Sequence, residues 1–244
     1  MKRIMGTLVL LCLMALPGIA SASDSKPVGV YVGGHLGMGF LNQSDRSFRD
    51  SETGFSYSPG DDSDTVFGGG ISVGYDFSHR VGLPIRLELD YTARSEGEAK
   101  NRANILEQSS GKTFGTTKKD KISLQTLMVN AWVDIPTGTA VTPYLGGGIG
   151  FGFVNYKSNL NFVDLTAGTE SGSESGSTNE TNFAWSLGAG VAYDITERWT
   201  VDLGYRYIDA GEASVSFSEG GDTWGKSKVK AQTHDVMLGV RYTF

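Results

Sequence analysis

Val236-Met237-Leu238-Gly239-Val240-Arg241-Tyr242-Thr243-Phe244 closes the chain. Side chains of an extended strand alternate between its two faces, so Val236, Leu238, Val240, Tyr242 and Phe244 share one face. Asp235, Met237, Gly239, Arg241 and Thr243 share the other. One face is oily and the other is small or charged. That arrangement suits the wall of a barrel whose outside meets lipid and whose lumen is polar. It suits an edge strand of a soluble sandwich equally well, and the rest of the chain decides between them.

Working backward, the same alternation recurs. Val201-Asp202-Leu203-Gly204-Tyr205-Arg206-Tyr207 repeats it, and before it Phe183, Trp185, Leu187, Val191, Tyr193 and Ile195 stand opposite Ala184, Ser186, Gly188, Gly190 and Asp194. Further strands are predicted from Val141 to Val154, Ile122 to Ile135, Pro84 to Arg94, Thr65 to Phe77 and Val28 to Leu41. Ile122 and Leu124 are out of phase with Leu127, Val129, Ala131, Val133 and Ile135, which predicts either a bulge near Gln125 or an outer strand boundary different from Ile122. Trp132 and Tyr144 face inward in this register, although their positions near strand ends suit an interfacial girdle. The eight strand starts are separated by about 38, 19, 37, 20, 41, 17 and 31 residues, so long and short connections alternate. Alternate connections of an up-and-down barrel lie at the same end. The expectation is an all-β fold: an eight-stranded antiparallel up-and-down transmembrane β-barrel with four long external loops and three short periplasmic turns. A soluble lipocalin-type barrel would instead carry its apolar face inward and Lys, Glu and Thr outside.

Met1-Lys2-Arg3, the apolar run Ile4 to Leu16 and Ala20-Ser21-Ala22 form a secretory signal pattern, dividing the chain into a signal peptide (1–22) and a barrel domain (23–244). The apolar run is too short to span a membrane as a helix. Cys12, the one cysteine, lies in that leader, so a disulfide framework is not expected. Cleavage leaves 19 basic residues against 27 acidic ones, a net charge of −8, which argues against nucleic acid as a partner.

The predicted inward faces carry Arg86, Glu88, Asp90, Arg94, Asp202, Arg206, Asp235 and Arg241. Charges in a lumen too narrow for bulk water have to pair. The expectation is a plug of ion pairs in which Arg206 and Arg241 face Glu88 and Asp202. The histidines His35, His79 and His234 are spread over separate segments and make no metal set, and no cofactor is expected. His234 with Ser216 or Ser218 could imitate the rim chemistry of a lipid A-modifying enzyme, but no spacing compels it. Gly146-x-Gly148-x-Gly150 sits inside a strand with no helix after it, so it reads as packing around a narrow lumen and not as a phosphate loop. Asp61, Asp62 and Asp64 lack the glycine and distal glutamate of a calcium loop and read as solvated.

A family resemblance rests on Gly188-Ala189-Gly190-Val191-Ala192-Tyr193-Asp194-Ile195-Thr196, on Trp199, on Asp202-Leu203-Gly204-Tyr205-Arg206-Tyr207 and on the Tyr242-Thr243-Phe244 end. Leu127-Met128-Val129-Asn130-Ala131, Tyr144-Leu145-Gly146-Gly147-Gly148-Ile149-Gly150 and Tyr31-Val32-Gly33-Gly34 fit it too. The chain resembles the opacity-protein and OmpA-like group of small outer-membrane barrels. The resemblance implies an outer-membrane address in a Gram-negative bacterium, contact with outer-membrane lipid and no peptidoglycan-binding domain. It also implies insertion by the barrel-assembly machinery, with Tyr242 and Phe244 as the assembly signal. The expected function is a non-enzymatic, monomeric surface protein whose loops adhere to host or matrix molecules or simply shape the cell surface. Phe55, Tyr57, Phe114, Phe217 and Trp224 are the candidate loop anchors. The alternatives are a narrow porin and a lipid A-modifying enzyme.

Overall fold

The computed structural model describes residues 28–50, 56–57, 62–107, 112–164, 169–219 and 222–244; the signal peptide expected over 1–22 lies outside them. The strands are β1 (Val30–Asp50), β2 (Ser56–Tyr57), β3 (Asp62–Asp76), β4 (Ile85–Arg94), β5 (Gly97–Glu107), β6 (Lys112–Asp134), β7 (Val141–Asp164), β8 (Thr169–Asp194), β9 (Trp199–Glu219) and β10 (Asp222–Thr243). All pairings are antiparallel, in the order β10-β9-β8-β7-β6-β4-β3-β1, and β10 pairs with β1 to close the ring. Eight wall positions therefore surround the lumen. A single helical turn, α1 (Ser78–Val81), makes one short connection, and Gly82 ends it in the left-handed region at φ 69°.

The side-chain phase follows the expected alternation through the membrane-spanning half. Outward residues form a continuous apolar band in which Leu36, Phe67 and Phe183 are 73%, 65% and 63% exposed. A band of large exposed apolar side chains around a closed barrel marks contact with lipid. Trp199, Tyr242 and Phe244 cluster at its short-turn edge, with ring centroids 4.9 and 5.1 Å apart.

Three features differ from the sequence-based expectation. First, most residues expected in long loops are strand. Spanning takes about 9–11 residues of tilted strand, yet β6, β7 and β8 have 23, 24 and 26. The barrel therefore continues past the lipid band as an extramembrane tube. The polar composition that read as loop reflects water on the tube's outer face, where Ser123, Lys121, Asn155, Lys157, Ser214 and Lys226 point.

Second, β6 itself has no bulge at Gln125: its pairing with β7 runs through that residue without a shift, while its pairing with β4 ends there at Ala93 and the one with β5 resumes at Gly97 and Ile122, with the extra residue on the β4–β5 side. Ile122 and Leu124 face inward, in phase with Met128 and Trp132, because the polarity of the wall inverts there. Leu41, Val66, Ile122, Leu124, Val154, Tyr156, Val215 and Val229 fill the tube's interior. Below Gln125 the apolar residues face lipid, and above it they face each other. The observed bulges lie elsewhere. One sets Ala210 and Gly211 against the single residue Ala231, with Gly211 at φ 74°, where glycine fits without strain. That extra residue keeps Ala213 and Val215 inward.

Third, the wall position after β3 is split. β4 pairs with the lower part of β6 and β5 with its upper part. Ser95 marks the break: its N–H donates to the Phe67 carbonyl at 2.8 Å and its Oγ accepts from Phe67 N–H at 3.1 Å. Among the described residues β5 shares no backbone ladder with β3. One link across this seam is the Glu98 N–H donating to Asp64 Oδ2 at 2.7 Å.

Candidate functional site

The lumen at membrane depth is filled by charged and aromatic side chains whose inward position follows from strand phase. Arg86 on β4 donates from Nε and Nη2 to Asp134 on β6 at 2.8 and 2.9 Å, a bidentate pair of the strong kind. The Arg86 guanidinium lies 5.0 Å from the Tyr144 ring centroid, and Tyr144 donates to Asp202 at 3.2 Å. Asp202 stands 3.6 Å from Arg241, which lies over Tyr31 at 5.5 Å. Tyr31 and Trp132 donate to the two oxygens of Glu88 at 3.1 and 3.3 Å. Arg206 stacks over Trp132 at 5.5 Å and donates to Asp90 at 2.9 Å. Guanidinium, ring and carboxylate alternate across the lumen, each cation meeting both a carboxylate and a ring face.

Asp90 also accepts from Thr92 at 2.9 Å, and its other oxygen lies 3.6 Å from His35 Nδ1. One layer further out, Arg94 meets Asp235 at 2.5 Å and donates to Thr126 at 3.3 Å. Thr233 holds the other Asp235 oxygen at 2.6 Å.

The eight charged residues expected in the lumen thus lie inward, but one expected pairing differs. Arg206 meets Asp90, two residues along β4 from Glu88, and Glu88 is held by Tyr31 and Trp132. Arg241 does face Asp202. Asp134, Tyr31, Trp132 and Tyr144 were not expected as partners, although all four share the inward phase. The inward position of Trp132 and Tyr144 removes them from the interfacial girdle; their rings pack edge to face at 5.4 Å. The glycines make room for them: a Cβ on Gly190 would collide with Tyr144, one on Gly74 with Tyr31, and one on Gly146 with Trp132. The space left among Arg86, Glu88, Arg206 and Arg241 is a cavity of about 50 Å³.

In the tube, Asp120 is fully buried. It accepts from Tyr156 at 3.0 Å and from Ser158 at 2.7 Å. Burial and the neighbouring Asp120 carboxylate push the Tyr156 phenol well above its ordinary range, so the proton stays on the ring oxygen.

The three histidines are far apart in the fold, and among the described residues no three His, Cys, Asp or Glu converge as metal ligands. His234 lies opposite Tyr207, whereas Ser216 and Ser218 lie opposite Lys226 and Thr223, so the register separates them. His234 Nδ1 is instead 2.7 Å from the Tyr205 hydroxyl. Of the loop anchors, Tyr57, Phe114, Phe217 and Trp224 fall in strands with side chains outside the described set, and Phe55 lies outside it altogether. At the carboxy end, Val28 N–H donates to the Phe244 carbonyl at 2.6 Å and Phe244 N–H to the Val30 carbonyl at 2.9 Å, closing the ring at its inner rim.

Residues 8–244 match the family model for the outer membrane protein beta-barrel domain. The chain belongs to this family. Outer membrane protein PagN of Salmonella typhimurium is similar to it, with 35% identity over 96% of this chain and 97% of that protein. A putative adhesin of Rickettsia bellii is 24% identical over 80% of each chain. Among solved structures, Neisserial surface protein A is similar, with 20% identity, a TM-score of 0.45, and 90% of this chain and 100% of that one covered. As a member of the outer-membrane barrel family, the chain resides in the outer membrane of a Gram-negative bacterium.

Proposed function

We propose that this barrel is a non-enzymatic, monomeric surface protein that presents an adhesive tip on a tube held clear of the membrane, above a lumen closed by ion pairs. The observation that carries this reading is the inversion of polarity at Gln125. A wall that is polar outside and apolar inside is built to stand in water, and it carries the strand ends well above the lipid. The adhesin name of one relative, and the shared family, point the same way. Barrel insertion through a signal at Tyr242 and Phe244 belongs to this reading.

Expression in a non-adherent Gram-negative strain is expected to confer binding to cultured host cells or matrix-coated surfaces. Substituting Phe55, Tyr57, Phe114, Phe217 and Trp224 with alanine should remove most of that binding while surface display persists. Binding that survives both these substitutions and replacement of the tip connections by Gly-Ser would refute the adhesive tip.

The closed lumen is carried by the alternating chain from Asp134 to Asp90 and by the apolar filling above it, two unlike barriers in series. In planar bilayers the purified barrel is expected to show no reproducible single-channel steps. Regular steps would overturn the closure and favour a narrow porin.

A further inference from the structure

The outer wall formed by β8, β9 and β10 changes character over a short height. At the edge of the lipid band stand Trp185, Tyr205, Tyr207 and His234. The Tyr207 ring lies 5.4 Å from Trp185 and 5.1 Å from His234. Above them the outward positions of β10 read Gln232, Lys230, Lys228 and Lys226, one at every second residue and so about 6–7 Å apart along the strand. Gln232 Nε2 donates to the Tyr207 hydroxyl at 2.8 Å and to Asp209 Oδ2 at 3.0 Å, which ties the aromatic shelf to the lysine column.

Lys230 pairs with Asp209 at 2.9 Å and Lys228 with Glu212 at 2.7 Å. Lys226 makes no ion pair among the described residues, and the residue opposite it on β1 is another cation, Arg49. Like charges directly opposed across two strands repel. Among the described side chains, four cations of β10 and the adjoining β1 therefore face two carboxylates. On the β6–β7 wall Lys121 and Lys157 are matched by Glu96 and Glu98, while Lys119, outward on the same strand as Lys121, makes no ion pair among the described residues.

We propose that this wall docks the phosphorylated glycolipid of the outer leaflet, with its acyl and sugar portions on the aromatic shelf and a phosphate on the lysine column. The shelf lies at the lipid boundary, where amphipathic rings settle with one end dry and the other wet. A ligand reaching both shelf and column has to be part lipid and part anion. Exposed lysine–carboxylate pairs are weak, so a phosphate bearing more than one negative charge can draw Lys228 and Lys230 away from their carboxylates. The excess cations at Lys226 and Arg49 remain for a second anionic group. This docking is independent of what the tip binds.

Native mass spectrometry of the mature barrel in detergent tests it, by titration with diphosphoryl lipid A, with the same glycolipid stripped of phosphate, and with phosphatidylethanolamine. A saturable adduct with diphosphoryl lipid A alone is expected. The Lys226→Gln/Lys228→Gln/Lys230→Gln variant should bind it about tenfold or more weakly, from the loss of three cations near an anionic surface, while retaining the gel mobility of the folded barrel. Lys121→Gln/Lys157→Gln should leave it unchanged. Equal retention of the phosphate-free glycolipid, which needs no variant, overturns the proposal. So does undiminished binding by the triple variant or an equal loss in Lys121→Gln/Lys157→Gln.

Discussion

Arg206→Ala is expected to destabilise the barrel by about 3–5 kcal/mol, the cost of leaving one member of a buried ion pair without its partner. Arg206 and Asp90 are only 5% and 0% exposed, so solvent cannot take the place of the missing cation. His35 at 3.6 Å and Thr92 at 2.9 Å stay beside Asp90, but neither supplies a full positive charge while the imidazole is neutral. The substitution also removes the cation stacked on Trp132, leaving that ring without a lid. The readout is the temperature at which the folded band is lost on a detergent gel, which should fall markedly. Arg206→Met/Asp90→Leu should recover much of the loss, because replacing both partners by apolar groups leaves no orphaned charge. An unchanged transition in Arg206→Ala would refute the pairing.

Ile122→Asp is expected to act on the tube and leave the membrane-spanning half intact. Ile122 is fully buried among Leu124, Val154, Tyr156 and their neighbours, and an unpaired carboxylate there belongs to the class of substitutions costing about 4–5 kcal/mol or more. On the lipid side of Gln125 the interior is mainly polar and makes its own contacts, and only Met128 and Ala184 extend the tube's apolar core into it. Proteolysis of intact cells should then cut within the tube, where the parent protein resists, while the protected fragment keeps its heat-modifiable mobility. Loss of the folded gel band altogether would show that the two halves fold as one unit.

These contrasting outcomes follow from what the sequence displays and what it conceals. Period-two alternation from Val236 to Phe244 and its repeats display the strands, their phase and the inward position of the eight lumen charges from Arg86 to Arg241, because phase is local, whereas Asp120, buried in the tube, lay in a stretch that reads as loop. The Arg206–Asp90 pairing is not local. These residues sit on β9 and β4, and which carboxylate a guanidinium meets across the lumen depends on strand tilt and stagger, properties of the closed ring. The tube was hidden for another reason. Alternation was read with one rule for the whole chain, apolar meaning outward, so Ile122 and Leu124 looked like a slip in register when they marked a change of solvent. Segments such as 155–164 and 212–219 look like loop because their outward half is Ser, Asn, Lys or Glu. Among the lumen aromatics, Tyr31, Trp132 and Tyr144 were legible by phase but not as partners, since a ring's hydrogen-bonding end finds its acceptor only after the walls have met.

The split between β4 and β5 has a mechanical consequence. Between most neighbouring staves of the tube, pulling them apart means breaking a row of amide bonds, but along β3 and β5, and along β8 and β9 above Trp185 and Asp209, the described residues share no ladder and offer side-chain contacts and isolated bonds such as those from Glu98 to Asp64 and from Asn182 to the Glu212 carbonyl. Under heat or shear the outer cylinder opens along those two lines, as a sheet unrolls from its loose margins. The amides of β5 that point away from β6 therefore trade their hydrogens for deuterium well before those shared between β6 and β7.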